Sequence, residues 1–174
     1  MKQKEIYLAG GCFWGTEHFF KQIAGVVSTE VGYANGHTDR PTYQDVCTDQ
    51  TGFAETVRIV YDPEVAPLEF LLNMYFKAID PTTLNQQGHD CGTQYRTGIY
   101  YVDSDDLPII NKVYDEQQRL CDKPFQVERL PLRSFFNAED YHQDYLDKNP
   151  SGYCHLPLQL FEFARRAKPS DYMS

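Results

Sequence analysis

Apolar and polar positions along the chain sort into two periods. The run Ile6-Tyr7-Leu8-Ala9 reads as a strand at about 5–9; Gly10-Gly11 ends it, and a helix follows through about Ala24, where Gly25 stops it. A second strand is expected over about 26–34. Residues 53–61 alternate, with Phe53, Glu55, Val57, Ile59 and Tyr61 on one face and Ala54, Thr56, Arg58 and Val60 on the other, which is a strand carrying a carboxylate on its more apolar face. Pro67 then opens a helix whose Leu68, Leu71, Leu72, Tyr75, Phe76 and Ile79 make a core-facing stripe, with the proline in the tolerated first turn. Residues 80–95, rich in Asp, Pro, Asn, Gln and Gly, read as loop. A strand at about 97–102 precedes a helix capped by Ser104, with Asp105 and Asp106 in its first turn and Leu107, Ile110, Val113, Gln117 and Leu120 along one side; a further strand falls near 125–130. Strands alternating with helices predict an α/β or α+β two-layer sandwich around one sheet. From Asn149-Pro150-Ser151-Gly152 onward the pattern is irregular.

No repeat or low-complexity tract interrupts the chain, so residues 1–174 read as a single domain with a mobile C-terminal segment from about 149. That length buries a sizeable core without help from disulfides or metal. Twenty-five acidic against 16 basic side chains give a formal charge of −9, a surface that phosphate backbones repel. The nearest thing to a basic cluster, Arg165, Arg166 and Lys168, reads as a solvated tail, so no nucleic-acid partner is expected. The start, Met1-Lys2-Gln3-Lys4, is positive, but the apolar run behind it is too short for a signal peptide, and no stretch approaches the ~18–20 apolar residues of a membrane span. The chain reads as cytoplasmic, with no membrane partner.

Five cysteines stand at 12, 47, 91, 121 and 154 without a Cys-x-x-Cys pair, which argues against a secreted disulfide framework and against ribbon-type zinc sites. The sharpest local feature is Gly10-Gly11-Cys12-Phe13-Trp14-Gly15, where a strand feeds a helix. A cysteine there faces unpaired N–H groups and the positive end of the helix dipole, both of which favour thiolate. Gly15 stands where a thioredoxin-like motif needs its second cysteine. His18 stands where a Cys-x5-Arg phosphate loop needs its arginine.

Four segments then share one pattern: Gly11-Cys12-Phe13-Trp14-Gly15; Gly52-Phe53-Ala54-Glu55; His89-Asp90-Cys91-Gly92-Thr93-Gln94-Tyr95-Arg96; and Tyr141-His142-Gln143-Asp144-Tyr145 with Gly152-Tyr153-Cys154-His155. In this order they resemble the signature segments of the methionine sulfoxide reductase A family, over roughly residues 5–160. Two positions depart from it: Phe53 stands where the family usually has His, and Cys91 is not a usual member of its segment. The resemblance implies an α+β fold, a two-layer α/β sandwich with a mixed central sheet, a ferredoxin-like core and an irregular C-terminal segment. It implies reduction of methionine S-sulfoxide, protein-bound and free, in repair of oxidised proteins under oxidative stress, with no cofactor and no metal.

The residue chemistry fits such a reaction. Sulfoxide sulfur is attacked by a thiolate only if the oxygen is protonated as it leaves, so the site needs a nucleophile and an acid. Cys12 supplies the first, and Glu55 the second once burial among Phe53, Tyr43 and Tyr95 raises its pKa. By resemblance Tyr43, Asp90 and Tyr95 hold the oxygen or its water, and Phe13 and Trp14 clamp the S-methyl group. Attack leaves Cys12 as a sulfenic acid, which Cys154 is expected to condense to an intramolecular disulfide, recycled by thioredoxin. Cys47, Cys91 and Cys121 are by default structural. Two rival readings remain: a zinc site from His89, Cys91, Cys154 and His155, disfavoured because adjacent side chains of an extended chain point apart, and a peptide-binding aromatic pocket without chemistry.

Overall fold

The computed structural model describes residues 3–48 and 50–171; Met1 and Lys2, read above as part of a positive start, lie outside them. The chain runs β1 Lys4–Gly10, α1 Phe13–Lys21, β2 Val26–Ala34, α2 Tyr43–Cys47, β3 Ala54–Tyr61 and α3 Leu68–Ala78. It continues through a small hairpin, β4 Gln86–Gln87 and β5 Asp90–Cys91, to β6 Thr97–Tyr101, α4 Leu107–Arg119, β7 Glu128–Pro131, β8 Phe135–Asn137, α5 Tyr145–Lys148 and α6 Leu158–Arg166. Six strands form one curled sheet in the order β7-β6-β1-β3-β2-β8, antiparallel throughout except for the parallel β6–β7 pair. The fold is α+β with a mixed sheet. The four central strands, with α1 and α3 between them, follow one another as β-α-β-β-α-β.

The core lies between the sheet and its helices. Ile6 and Leu8 of β1, Val57, Ile59 and Tyr61 of β3, and Phe19 and Phe20 of α1 are buried there, together with the whole stripe of α3 from Leu68 to Ile79. The opposite face of the sheet keeps a smaller cluster, Tyr7, Ala9, Ala34, Ala54 and Tyr100, over which Phe135 closes edge-on to Tyr7 at 4.9 Å. At that face Arg58 reaches Glu5 and Glu30 across three strands. The N-terminal mouth of α1 is where β1 ends, and β3 is next to β1 in the sheet, so Cys12 and Glu55 are brought together by two neighbouring strands running in opposite directions.

Several expectations need correction. Helix α1 ends at Lys21, short of Ala24, and the chain turns through Gly25 at φ +102°, where a side chain would run into Ala66. Pro67 is the residue before α3, not part of its first turn. Asp103, not Ser104, supplies the capping oxygen ahead of α4: it accepts from Asp105 N–H, and residues 104–106 form a 3-10 turn first. Leu120 is 83% exposed, because α4 stops before it and Tyr114 takes the third core position of that face. The loop at 80–95 contains the β4–β5 hairpin, β7 begins at Glu128 rather than near 125, and β8 was not anticipated.

The largest correction is at the C-terminus. Residues after Asn149 are not irregular throughout: α6 packs Phe161 and Ala164 against α1, with His18 edge-on to Phe161 at 4.5 Å and Arg165 bonded to Gln22. The sequence carried an apolar stripe at Phe161 and Ala164 that Pro157, just ahead of the first turn, makes compatible with a helix. Arg165 and Arg166 of this basic cluster both pair with Glu162 on α6, and Lys168 follows the helix end. Among the described residues no helix is long and apolar enough to cross a membrane. Phe161→Ala should destabilise the protein by about 3 kcal/mol, the lower end for emptying a buried phenylalanine site; urea unfolding checks it, and a loss under about 1 kcal/mol would mean that α6 is not part of the core.

Candidate active site

Cys12 is the residue at which the backbone enters α1, and it contributes no capping side-chain bond. Glu55 takes that role: its Oε1 accepts the Phe13 N–H at 3.2 Å, while its Oε2 accepts the Gln94 amide at 3.0 Å. Both groups are secluded, Cys12 at 7% and Glu55 at 1% exposure. Burial pushes the Glu55 carboxyl up to about 8 in spite of those two donors, with Asp90 adding to the shift. Burial likewise pushes the Cys12 thiol well above its ordinary range; the nearby Glu55 charge adds to this, and the Trp14 N–H opposes it. The helix N-terminus therefore favours thiolate with the expected sign, but desolvation outweighs it, and at rest Cys12 is a thiol. At neutral pH Glu55 is mostly protonated, so its repulsion of the thiolate is largely absent there.

The aromatic groups arrive from six elements. Phe13 is buried against Tyr33 and His142 at ring distances of 5.8 and 5.2 Å. Trp14 stacks on Tyr145 of α5 at 3.7 Å and donates its indole N–H to His142 Nδ1 at 3.0 Å. Tyr43, at the start of α2, and Tyr95, in the 3-10 turn at 93–95, are hydrogen-bonded to one another, and burial followed by the Glu55 charge raises both phenols. Asp90, in the hairpin, accepts from Tyr153 at 3.0 Å and raises Cys12, Glu55 and Tyr95. The structure thus gathers Cys12, Phe13, Trp14, Tyr43, Glu55, Asp90 and Tyr95 at one end of the sheet.

Cys154 reaches the same place from the other side. Its sulfur lies over Gly15, so close that a Cβ there would be 3.0 Å from it, and it also raises the Cys12 thiol. On its outer side a cavity of about 270 Å³ opens between α1, α5 and α6, lined by His18, Leu146, Asp147, Cys154, Leu158 and Phe161. All five cysteines are free. Of the three cysteines read by default as structural, Cys47 and Cys91 are exposed and Cys121 is half-buried. Phe53, in the position where histidine was expected, is buried with its ring over Gly36, so Glu55 has the Phe13 amide and Gln94 as its polar partners. Among the described residues no group of three or more His, Cys, Asp or Glu side chains could hold a metal ion.

Four supporting residues escaped the sequence reading. Gln94 donates to Glu55 and also to Cys47 at 3.3 Å. Glu139 accepts from the Tyr33 hydroxyl and the Tyr43 N–H, fixing α2 against β2. Gln143 pairs both its amide groups with Val31, like one residue of an extra strand, which pins the 140–145 segment. Glu17, buried in α1, accepts from Asp144 N–H, where the backbone is left-handed at φ 53°. Gln94 and Gln143 stand inside quoted segments and were open to notice; Glu139 and Glu17 carry no local signal.

A secluded thiol beside a protonated carboxyl and two linked phenols is the equipment of a thiol-based oxidoreductase. The family model for peptide methionine sulfoxide reductase matches residues 4–171. The peptide methionine sulfoxide reductase MsrA of Clostridium acetobutylicum is 57% identical over 159 residues, covering 91% of this chain and 98% of that protein. The crystal structure of Mxr1 from Saccharomyces cerevisiae in reduced form superposes with a TM-score of 0.85 at 42% identity, covering 90% of this chain and 92% of that one. Mxr1 in complex with Trx2 gives a TM-score of 0.60 at 29% identity, covering 83% and 85%. The chain belongs to the peptide methionine sulfoxide reductase family, A type, and is an oxidoreductase.

The Glu55 assignment carries a stability signature. The folded carboxyl titrates near 8 and the unfolded one near about 4.3, so between those values the folded chain holds a proton that the unfolded chain releases. This contribution makes stability fall as pH rises from about 4.5 to 8 and level off above. Glu55→Gln removes it, so the melting temperature of the variant minus that of the wild type should grow from pH 5 to pH 8; a gap that stays constant over this range would contradict a raised Glu55.

Proposed function

We propose that Cys12 reduces methionine S-sulfoxide, protein-bound or free, and that Glu55 is the acid that makes the oxygen a leaving group. The observation that carries this reading is the shared burial of Cys12 and Glu55, which keeps both protons in place at neutral pH. The sulfoxide oxygen takes the Glu55 proton as the Cys12 sulfur attacks, and the thiol proton passes to the carboxylate so formed. The bond so formed between the Cys12 sulfur and the substrate sulfur breaks as the hydroxyl passes from the substrate sulfur to Cys12: methionine leaves reduced, Cys12 is oxidised to the sulfenic acid, and Glu55 ends protonated as it began. Tyr43 and Tyr95 hold the oxygen through phenol donors that do not neutralise the sulfur, Asp90 holds its water as an acceptor, and Phe13 with the Tyr145-backed Trp14 gives the S-methyl group its apolar wall.

Cys154 then condenses with the sulfenic acid to a disulfide, releasing water. Its sulfur beside the first turn of α1 and the cavity on its outer side support this order of events: one face toward Cys12, the other accessible to an external dithiol. Thioredoxin is the reductant we infer, since the related Mxr1 forms a complex with Trx2. The segment from about 149 to 157 moves to close the disulfide, the domain otherwise remaining one unit, and we read the β-α-β-β-α-β order of the central sheet as a ferredoxin-like core.

The test is a single-turnover reaction with methionine sulfoxide and no reductant, read by methionine yield and by mass spectrometry of the alkylated cysteines. Wild type should yield one methionine per chain and a Cys12–Cys154 pair. Cys154→Ser should still yield one methionine but lose turnover with thioredoxin, whereas Cys12→Ser should yield none. Methionine from Cys12→Ser, or undiminished recycling by Cys154→Ser, would sink the corresponding role.

A further inference from the structure

His155 lies against the glycine turn that presents Cys12. Its Nε2 sits 3.1 Å from the Gly10 carbonyl, an atom that only accepts, so Nε2 carries the hydrogen and Nδ1 is left with a bare lone pair. That Nδ1 is inaccessible to solvent and has no hydrogen-bond partner. Its surroundings show what it faces. A Cβ added to Gly15 would be 3.1 Å from His155 Nδ1 and 3.0 Å from Cys154 Sγ, so the imidazole nitrogen and the thiol flank one point, which the missing side chain leaves open. Although Cys154 and His155 are adjacent in sequence, both side chains fold onto the first turn of α1.

We propose that His155 is the base that takes the proton of Cys154 as it attacks the sulfenic acid of Cys12. The inference rests on the reading of Cys154 as the resolving thiol. The Cys154 sulfur forms a bond to the Cys12 sulfur and its proton passes to His155 Nδ1. The Cys12 S–O bond breaks with its electron pair on oxygen, which takes a proton from solvent and leaves as water. Cys154 is oxidised and the sulfenic sulfur reduced to the disulfide level; His155 then returns the thiol proton to solvent, so no net proton is taken up or released. The Leu156 N–H, which bonds the Cys154 sulfur, holds the developing negative charge. Such a base is needed because burial pushes the Cys154 thiol up, and burial also lowers His155 below the ordinary imidazole value, keeping it neutral and receptive at pH 7. The ionisable groups facing it are Asp90 of β5, which opposes that lowering, and Cys154 beside it.

His155→Gln is the informative variant, since a glutamine amide reproduces the Nε2–H donor to Gly10 but offers no base at the Nδ1 position. Wild type and variant are mixed with methionine sulfoxide without reductant, then quenched and alkylated at intervals from pH 5 to 10. The variant should release its one methionine at the wild-type rate yet form the Cys12–Cys154 disulfide about 10²-fold more slowly at pH 7. The wild-type disulfide step should be flat from neutrality upward. In the variant it should climb past pH 9, following the Cys154 thiol itself, and approach the wild-type rate there. A variant with the wild-type rate and profile would overturn the inference while leaving Cys154 in its role, whereas a wild-type pair other than Cys12–Cys154 would remove both. Should the variant fail to fold, the wild-type profile decides alone: a disulfide rate that climbs past pH 9 overturns the assignment, and a plateau from neutrality supports it.

Discussion

Helix α1 has no capping side chain of its own, and its first N–H is taken by a carboxyl that stands 42 residues further along the chain. That single bond between Phe13 and Glu55 ties the helix to the neighbouring strand at the point where Cys12 turns into the helix. Much of the site depends on it. An acid can accept an N–H in this position only by being buried with it, and the same burial keeps its proton on and keeps the thiol beside it protonated. A tertiary cap and the proposed acid are thus one residue, and whatever stabilises the helix entry also sets the protonation of the carboxyl beside Cys12.

The rest of the architecture protects this arrangement. Glu139 and Gln143 hold α2 and the 140–145 segment to β2, so that Tyr43 and His142 approach from the far side of the sheet end. Trp14 is clamped between the ring of Tyr145 and the Nδ1 of His142, giving an apolar wall with little freedom to reorient. Glycines at 11 and 15 leave room for what packs from outside: His155 and Gln87 over the first, Cys154 and His155 over the second. The glycines on either side of Cys12 therefore make room for Cys154 and His155.

Much of this was legible from the residues. Alternation over 53–61 put Glu55 on the buried face, and the stripe of α3 was correct from Leu68 to Phe76, with Ile79 buried just past the helix end. Local pattern failed where the deciding partner is distant. Leu120 has helical spacing but no element above it, Phe161 and Ala164 make a helix core-facing only because α1 is there to receive them, and Glu139 is one more surface-like acid until Tyr33 and Tyr43 are brought to it. The pull toward thiolate expected of Cys12 meets an opposing one for the same reason: a helix N-terminus is visible in the sequence, whereas the desolvation that raises the thiol is a property of the packed site.

The central claim is that one buried carboxylic acid, protonated at neutral pH, drives the first chemical step. It is tested most directly by the rate of methionine formation in a single turnover, measured across pH for wild type and Glu55→Gln. Because the reacting pair is a thiol and a carboxylic acid, the wild-type rate should decline as pH rises through about 8; the glutamine variant should be slower by roughly 10²–10⁴ and show no such decline. A near-wild-type rate in the variant, or the same alkaline decline in both proteins, would contradict the account and turn attention to Tyr43, Tyr95 or Asp90 as the proton source.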